Sequence, residues 1–382
     1  MSLRDRVFLQ RFCLSQCHSA SHFSGKGFKA IRKEDGGFHR LVFMKAICLI
    51  APGKVETTDV PDPRMDSEDV LVDIKYVGLC GSDLNTYRGN FSLVSYPLIP
   101  GHEISGVVAD KGANVPDSIQ VGDKVMMDPY TNCGVCPACR AGRPNCCQFN
   151  QTLGVQRDGA LSSRFAAHYT KIFSSKTLTL KELALVEPMS VGYHAANRGQ
   201  VNEMDTVLII GCGTIGMGVV SAAVRKGATV VAIDIDDSKL ELAQEFGAQH
   251  VINSTKQDVL EEVARLTDNE GVNVAIEAVG LPGTYRLAID AVCYAGRVVY
   301  IGYAKEEVIY DTTDFVRKEL DIRGSRNALR VFPAVIRMME KQLFPFTLLI
   351  TKIYPFDHTA RAFSDWDTAP GEYTKILIDV AS

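Results

Sequence analysis

Apolar and polar residues alternate with period two over Asp69-Val-Leu-Val-Asp-Ile-Lys-Tyr-Val77, the mark of a strand with one buried face. Met44–Ile50, Ile104–Asp110 and Asp123–Met127 carry further short apolar runs. Pro61, Pro63, Pro97, Pro100, Gly101 and Gly122 punctuate them, so residues 53–130 read as a strand-rich module. From Leu180 to Arg198 the period lengthens to that of a helix, around Glu187 and His194. Beyond Thr206 strand and helix alternate. Strands are expected at 206–211, 229–234, 250–252, 273–278, 297–302 and 319–323, and helices at 214–226, 237–247 and 256–267. That alternation predicts an α/β fold with a parallel, doubly wound sheet. A helix at Phe332–Lys341 and a strand at Lys375–Val380 close the chain, and no internal repeat is evident.

A chain of 382 residues is long for one domain, and 46% apolar with 23% charged residues suits a soluble globular protein. A net charge of −4 gives no reason to expect nucleic acid or an acidic membrane as partner. The uncharged run Thr206–Val224 is long enough to resemble a membrane span, but glycines at 211, 213, 216 and 218 divide it into strand, turn and helix start. Residues 1–43 differ from the rest. Basic residues at 4, 6, 11, 26, 29, 32, 33 and 40 face only Asp5, Glu34 and Asp35, with no sustained apolar period. They are expected to be a disordered extension before a natural start at Met44.

The cysteines add chemistry. Of 11, five fall between residues 133 and 147. Such clustering in a long chain favours metal over disulfides, and with it a reducing compartment, the cytoplasm. Cys133-x2-Cys136-x2-Cys139-x7-Cys147 can close a four-thiolate zinc site with no open position, with Cys146 as an alternative fourth ligand. Cys80 in Gly78-Leu-Cys-Gly-Ser-Asp83, with His102 and Glu103, supplies a thiolate, an imidazole and a carboxylate, a set suited to an open, catalytic zinc. Ser82 could hold a proton beside it, and Glu187 is a further candidate ligand. Gly211-Cys-Gly-Thr-Ile-Gly216 follows an apolar strand and opens a helix, as a dinucleotide fingerprint does. Gly211, Gly213, Thr214, Ile215 and Gly216 would then line the cofactor. Asp234 ends the next strand, where a carboxylate accepts from the ribose hydroxyls and favours NAD over NADP; Lys239 would lie along the adenine ribose.

The motifs GLCGSD, GHE, NCGVCPACRAGRPNCC, VEPMSVGYHA, GCGTIG and RGSRN, in this order, resemble the zinc-dependent medium-chain dehydrogenase/reductase family over residues 44–382. The resemblance is closest to its polyol and sugar-acid branch, and within that to the L-galactonate and L-gulonate 5-dehydrogenases. It implies a GroES-like β-rich catalytic domain at 44–188 and 326–382, and a Rossmann NAD-binding domain at 189–325. It also implies a catalytic zinc on Cys80, His102 and either Glu103 or Glu187, and a structural zinc on Cys133, Cys136, Cys139 and Cys147. By the same resemblance the chain forms a homodimer or homotetramer, through sheet edges near Arg297–Gly302. Two departures stand out. Asn85 occupies a position where the branch often carries a proton-relaying histidine, and Ala160-Leu-Ser-Ser-Arg164 replaces a glycine-aromatic-acid run.

The expected reaction is NAD-dependent oxidation of a secondary alcohol of a small sugar acid. Arg326, with Asn327 beside it, is the expected grip on the carboxylate, and Arg157 is a second candidate. The alternatives are a polyol, L-threonine or 2,3-butanediol dehydrogenase, or a non-catalytic zinc and nucleotide binder. The last would be expected to have lost Cys80, Ser82 or His102, and all three are present.

Overall fold

The computed structural model describes residues 30–32, 38–40 and 42–382. Most of the expected disordered extension lies outside the described residues. Within it, Ala30–Arg32 pairs antiparallel with Phe38–Arg40, which corrects that expectation for those residues.

Two sheets organise the remainder. The first is β-rich. Its central strand Asp69–Leu79 pairs antiparallel with Glu103–Lys111, with Arg164–His168 and with the last strand, Lys375–Asp379. The chain therefore returns at its end to this sheet, next to the strand that ends at Leu79. The alternation foreseen over 69–77 is realised, with Val70, Val72, Ile74 and Val77 all buried in one core.

The second sheet is parallel. Its strand order is 250–253, 229–234, 206–210, 272–277, 292–300, 321–324. Val207 and Ile209 point into one core layer while Leu208 and Ile210 point into another, so both faces are covered by helices. This is why the run reads as continuously apolar. The uncharged 206–224 stretch is the strand Thr206–Ile210 and the helix Thr214–Arg225. No described helix is long and apolar enough to cross a membrane. The Arg297–Gly302 run, expected at a sheet edge, lies inside the sheet instead. Val292–Tyr300 pairs on both sides, and Asp321–Gly324 is the outer strand. Charged Asp321 and Arg323 on that short strand are typical of an edge.

The helix Leu180–Arg198 joins the two halves, and the boundary expected between 188 and 189 falls inside it. It starts at a capping box in which Thr179 accepts from the Glu182 amide and Glu182 accepts from the Thr179 amide. It crosses the helix Thr214–Arg225 at glycine contacts. A Cβ added to Gly192 would lie 2.4 Å from the Gly218 carbonyl carbon. Pro188 sits within the helix, removing one amide from its ladder, and Ser190 Oγ donates to the Glu187 carbonyl at 2.5 Å. The turn that carries Glu187 is thus locked against the helix that follows the glycine fingerprint.

Candidate active site

Cys80 ends the central strand and caps the short helix Gly81–Tyr87. Its amide donates to Asp83 Oδ2 at 2.8 Å, which fixes the turn. His102 and Glu103 begin the neighbouring strand. The ligand atoms of Cys80, His102 and Glu103 all lie within 4.8 Å of one another. His102 Nδ1 faces Asp83 Oδ1 at 3.9 Å, and neither atom has a hydrogen-bond partner among the described residues although both are buried. Burial alone would lower the His102 pKa, but Asp83, Cys80 and Glu187 outweigh it and hold the imidazole well above its usual range. The buried imidazole sits among a thiol and three carboxyl groups, and Lys375, committed to Glu103, is the one ammonium that answers them among the described residues, so negative charge is in excess. A zinc ion on Cys80 and His102, with the ring oriented by Asp83, balances that excess.

The two candidate glutamates differ. Glu103 is 1% exposed, and both its oxygens accept from Lys375 Nζ at 2.7 Å. Lys375 donates its remaining proton to the Leu79 carbonyl at 2.9 Å. Gly78 makes room for this pair, since a Cβ there would lie 2.0 Å from Glu103 Oε2. Glu187 instead accepts from the Tyr130 hydroxyl through Oε1, and Oε2 makes no hydrogen bond among the described residues. Burial pushes the Glu187 pKa up to about 7; His102 and the Tyr130 hydroxyl oppose that shift, and Glu103 adds to it. Ser82 is half-buried, and its hydroxyl makes no hydrogen bond among the described residues. Asn85 Oδ1 accepts from Lys305 Nζ at 3.2 Å, so an ammonium approaches the place of the absent histidine.

The four-cysteine lobe is compact. Cys147 Sγ lies 3.6 Å from Cys133 Sγ and 3.8 Å from Cys136 Sγ. A tetrahedron with Zn–S bonds of about 2.3 Å has edges of about 3.8 Å, so the sulfurs stand at zinc spacing. The amides of Cys133, Cys136 and Phe149 donate to sulfurs at 3.3–3.4 Å. Backbone N–H groups, that of Cys139 foremost, pull the Cys136 thiol down to about 6. Burial and the neighbouring thiols push Cys139 up to about 12. Four thiols this close cannot all ionise without a cation among them. Cys146 stays outside the cluster, its sulfur 3.8 Å from Arg143 Nη2.

The fingerprint loop is shaped for a close ligand. Gly211 has φ +95°, and a Cβ on Gly216 would lie 1.8 Å from the Gly211 carbonyl oxygen. Gly213 faces open space, with nothing within 4 Å of an added Cβ. This leaves the helix N-terminus approachable by a pyrophosphate. The Thr214 hydroxyl is taken by the Thr374 carbonyl at 2.6 Å, tying the loop to the strand that carries Lys375. Ile215 is half-buried on the first turn. Asp234 accepts from the amides of Cys212, Ile235 and Asp236 at 2.7, 2.8 and 3.1 Å, so its carboxylate is held at the strand end. Lys239 approaches Asp236 at 4.0 Å.

The expected substrate residues are less concentrated. The Arg326 carbonyl accepts from Asn145 Nδ2 at 2.9 Å, which ties this segment to the cysteine lobe rather than to Cys80 or His102. The same Asn145 amide lies 3.3 Å from His194 Nε2 on the long helix. Burial lowers the His194 pKa to about 4, so the ring is neutral and accepts that proton. Asn327 adopts φ +51°, and its Nδ2 is buried without a partner.

Residues 66–177 match the alcohol dehydrogenase GroES-like domain, and residues 214–341 match the zinc-binding dehydrogenase domain. The chain belongs to the zinc-dependent alcohol dehydrogenase family. It is 34% identical over 333 residues to the sorbitol dehydrogenase of Bacillus subtilis (strain 168), covering 85% of this chain and 93% of that protein. It is 30% identical over 306 residues to the L-galactonate-5-dehydrogenase of Escherichia coli (strain K12), covering 80% and 89%. Among solved structures, a short chain alcohol dehydrogenase (rspB) from E. coli CFT073 complexed with NADH matches with a TM-score of 0.82 at 30% identity, covering 88% and 99%. This zinc-dependent dehydrogenase therefore belongs to the polyol and sugar-acid branch, acts on CH–OH donors and uses zinc and NAD(H).

Three residues that sequence reasoning gave no role now have one by geometry: Asp83, Tyr130 and Lys375. The Asp83 signal was available, since it lies inside the Cys80 motif. Tyr130 is 8% exposed, and its hydroxyl donates to Glu187. Tyr130→Phe is expected to weaken retention of the zinc beside Glu187 by roughly 10- to 100-fold in chelator competition, with the cysteine-lobe zinc unaffected. Equal retention in both proteins would remove Tyr130 from the site. Asp234→Ala should weaken NADH binding by about tenfold and narrow the preference over NADPH. Parallel fluorescence titrations read both, and an unchanged ratio would contradict the role.

Proposed function

We propose that this dehydrogenase oxidises the secondary alcohol at carbon five of a hexonate, such as L-gulonate or L-galactonate, to the keto acid. The observation that favours an acid over a neutral polyol is the Arg157 guanidinium, whose buried Nε has no hydrogen-bond partner and which makes no ion pair among the described residues. The likeness to an L-galactonate-5-dehydrogenase supports the same choice. A neutral hexitol is the second reading, favoured by the likeness to a sorbitol dehydrogenase.

In this reading Cys80, His102 and Glu187 hold the catalytic zinc, and Cys133, Cys136, Cys139 and Cys147 hold the structural one. Zinc supplies Lewis-acid polarisation of the substrate hydroxyl, and NAD supplies the hydride acceptor. Ser82 would take the hydroxyl proton while handing its own to solvent, so that the serine ends neutral. Asp83, whose Oδ1 faces His102 Nδ1, would favour a proton on that nitrogen. Lys375 neutralises Glu103, so the carboxylate beside His102 does not compete for the cation. Gly211, Gly213 and Gly216 let the dinucleotide approach, and Asp234 receives the ribose hydroxyls. Asn85, held by Lys305, orients without titrating. The free edge Asp321–Gly324 supports self-association as a homodimer or homotetramer.

The test is the rate of NADH formation by the zinc-replete protein on L-gulonate, L-galactonate, sorbitol, L-threonine and 2,3-butanediol. A higher kcat/KM on a hexonate is expected. A higher value on sorbitol would leave the dehydrogenase in place and overturn the acid.

A further inference from the structure

The loop 153–161 clasps the segment that leads into His102. Ile99 donates to Asp158 Oδ1 at 3.0 Å, Gly159 donates to the Ile99 carbonyl at 2.6 Å, and Ala160 to that of Gly101 at 3.0 Å. A Cβ on Gly154 would lie 2.6 Å from the Gly101 amide nitrogen. On its other side the loop touches the segment that carries Tyr130. Leu153 donates to the Pro129 carbonyl at 3.0 Å, and Thr152 pairs with Tyr130. The loop is therefore bracketed by the residue before His102 and by the residue whose side chain holds Glu187. Within it the Arg157 carbonyl accepts from Gly154 at 2.8 Å, which closes the turn and fixes where the arginine stands.

The Arg157 side chain is unsatisfied. Its Nε is buried with no hydrogen-bond partner, and its guanidinium makes no hydrogen bond or ion pair among the described residues. The carboxylate that acts on it, Asp128, is already committed. Asp128 Oδ1 accepts from the Tyr130 amide at 2.9 Å, and Oδ2 holds Lys171 Nζ at 2.7 Å. Burial lowers the Arg157 pKa, and Asp128 only partly offsets it. A half-buried guanidinium with a buried, unpaired Nε and no counterion among the described residues costs free energy in the empty protein. A ligand carrying a carboxylate would recover that cost, because the planar guanidinium offers parallel N–H donors to two oxygens. For Arg326 the contact among the described residues is that of its backbone carbonyl with Asn145 in the cysteine lobe, and no comparable bracketing fixes its guanidinium.

Resting on the sugar-acid reading, we infer that Arg157 receives the carboxylate of the substrate while the far hydroxyl lies at Cys80, His102 and Ser82. The residue selects acids over neutral polyols and binds ground state and transition state alike.

The experiment compares zinc-replete wild type, Arg157→Gln and Arg157→Lys on L-gulonate, L-galactonate and sorbitol. Arg157→Gln should raise KM for the hexonates by roughly 10- to 100-fold with kcat changed less than about threefold, and leave sorbitol kinetics unchanged. Arg157→Lys keeps the charge but not the fork, and should fall between. NADH binding and zinc content should match wild type, which separates this effect from misfolding. A hexonate preference that survives in Arg157→Gln overturns the assignment while leaving the sugar-acid reading intact. So does an equal loss on hexonates and sorbitol. If Arg157→Gln does not fold, a wild-type hexonate KM in Arg157→Lys overturns it. A wild type that prefers sorbitol overturns the sugar-acid reading and the assignment with it.

Discussion

Replacing Lys375 by Met is expected to lower stability by about 3–5 kcal/mol, the cost of leaving one member of a buried ion pair alone. Lys375 is 4% exposed and Glu103 1%, so water cannot take over from the ammonium. All three Nζ protons are used, on the two Glu103 oxygens and the Leu79 carbonyl, and a thioether replaces none of them. The lysine also stitches the last strand to the strand that ends at Cys80, where Ile376 pairs with Leu79. In thermal denaturation of the zinc-replete protein the midpoint should fall by roughly 6–20 °C. Adding Glu103→Gln to Lys375→Met should recover part of the loss, because a neutral amide leaves no uncompensated charge. An unchanged midpoint in Lys375→Met would show that Glu103 has another counterion.

His102→Ala should abolish alcohol oxidation while leaving the cofactor site intact. His102 is one of the donors that converge within 4.8 Å, and no other imidazole belongs to that group. Its loss should release one zinc and spare the zinc of the cysteine lobe. Lewis-acid polarisation is worth several kcal/mol, so the rate should fall by roughly 10³-fold or more. The fingerprint loop draws nothing from His102, and NADH affinity should stay within about twofold of wild type. Metal analysis, NADH titration and turnover on one preparation distinguish the outcomes. Retention of both zinc ions with full turnover would place the chemistry elsewhere.

Local patterns carried the fold a long way. Alternation along Asp69–Val77 and the continuous apolar run at Thr206–Ile210 followed directly from which faces are buried. The glycine fingerprint was legible because its steric demands act within a few residues, as the Gly211–Gly216 contact shows. What escaped were contacts between distant parts of the chain. Lys375 meets Glu103 across 272 residues, and nothing local marks a lysine at a strand start as buried. Tyr130 and Glu187 lie 57 residues apart and meet only because the long helix folds back on the first sheet. Cys146 and Cys147 were equivalent by spacing; the turn at Pro144–Cys146 turns only Cys147 inward. The edge of the parallel sheet was misplaced because Arg297–Gly302 is as apolar as an interior strand, which it proved to be.

The central claim is that the hydride on NADH comes from carbon five of a sugar acid. The direct measurement is mass spectrometry of the NADH formed from L-gulonate deuterated at carbon five. The NADH should carry the deuterium, and its formation should slow when the zinc of the Cys80–His102 site is removed. NADH formed without deuterium, or no NADH from the hexonate alongside ready turnover of sorbitol, would contradict it.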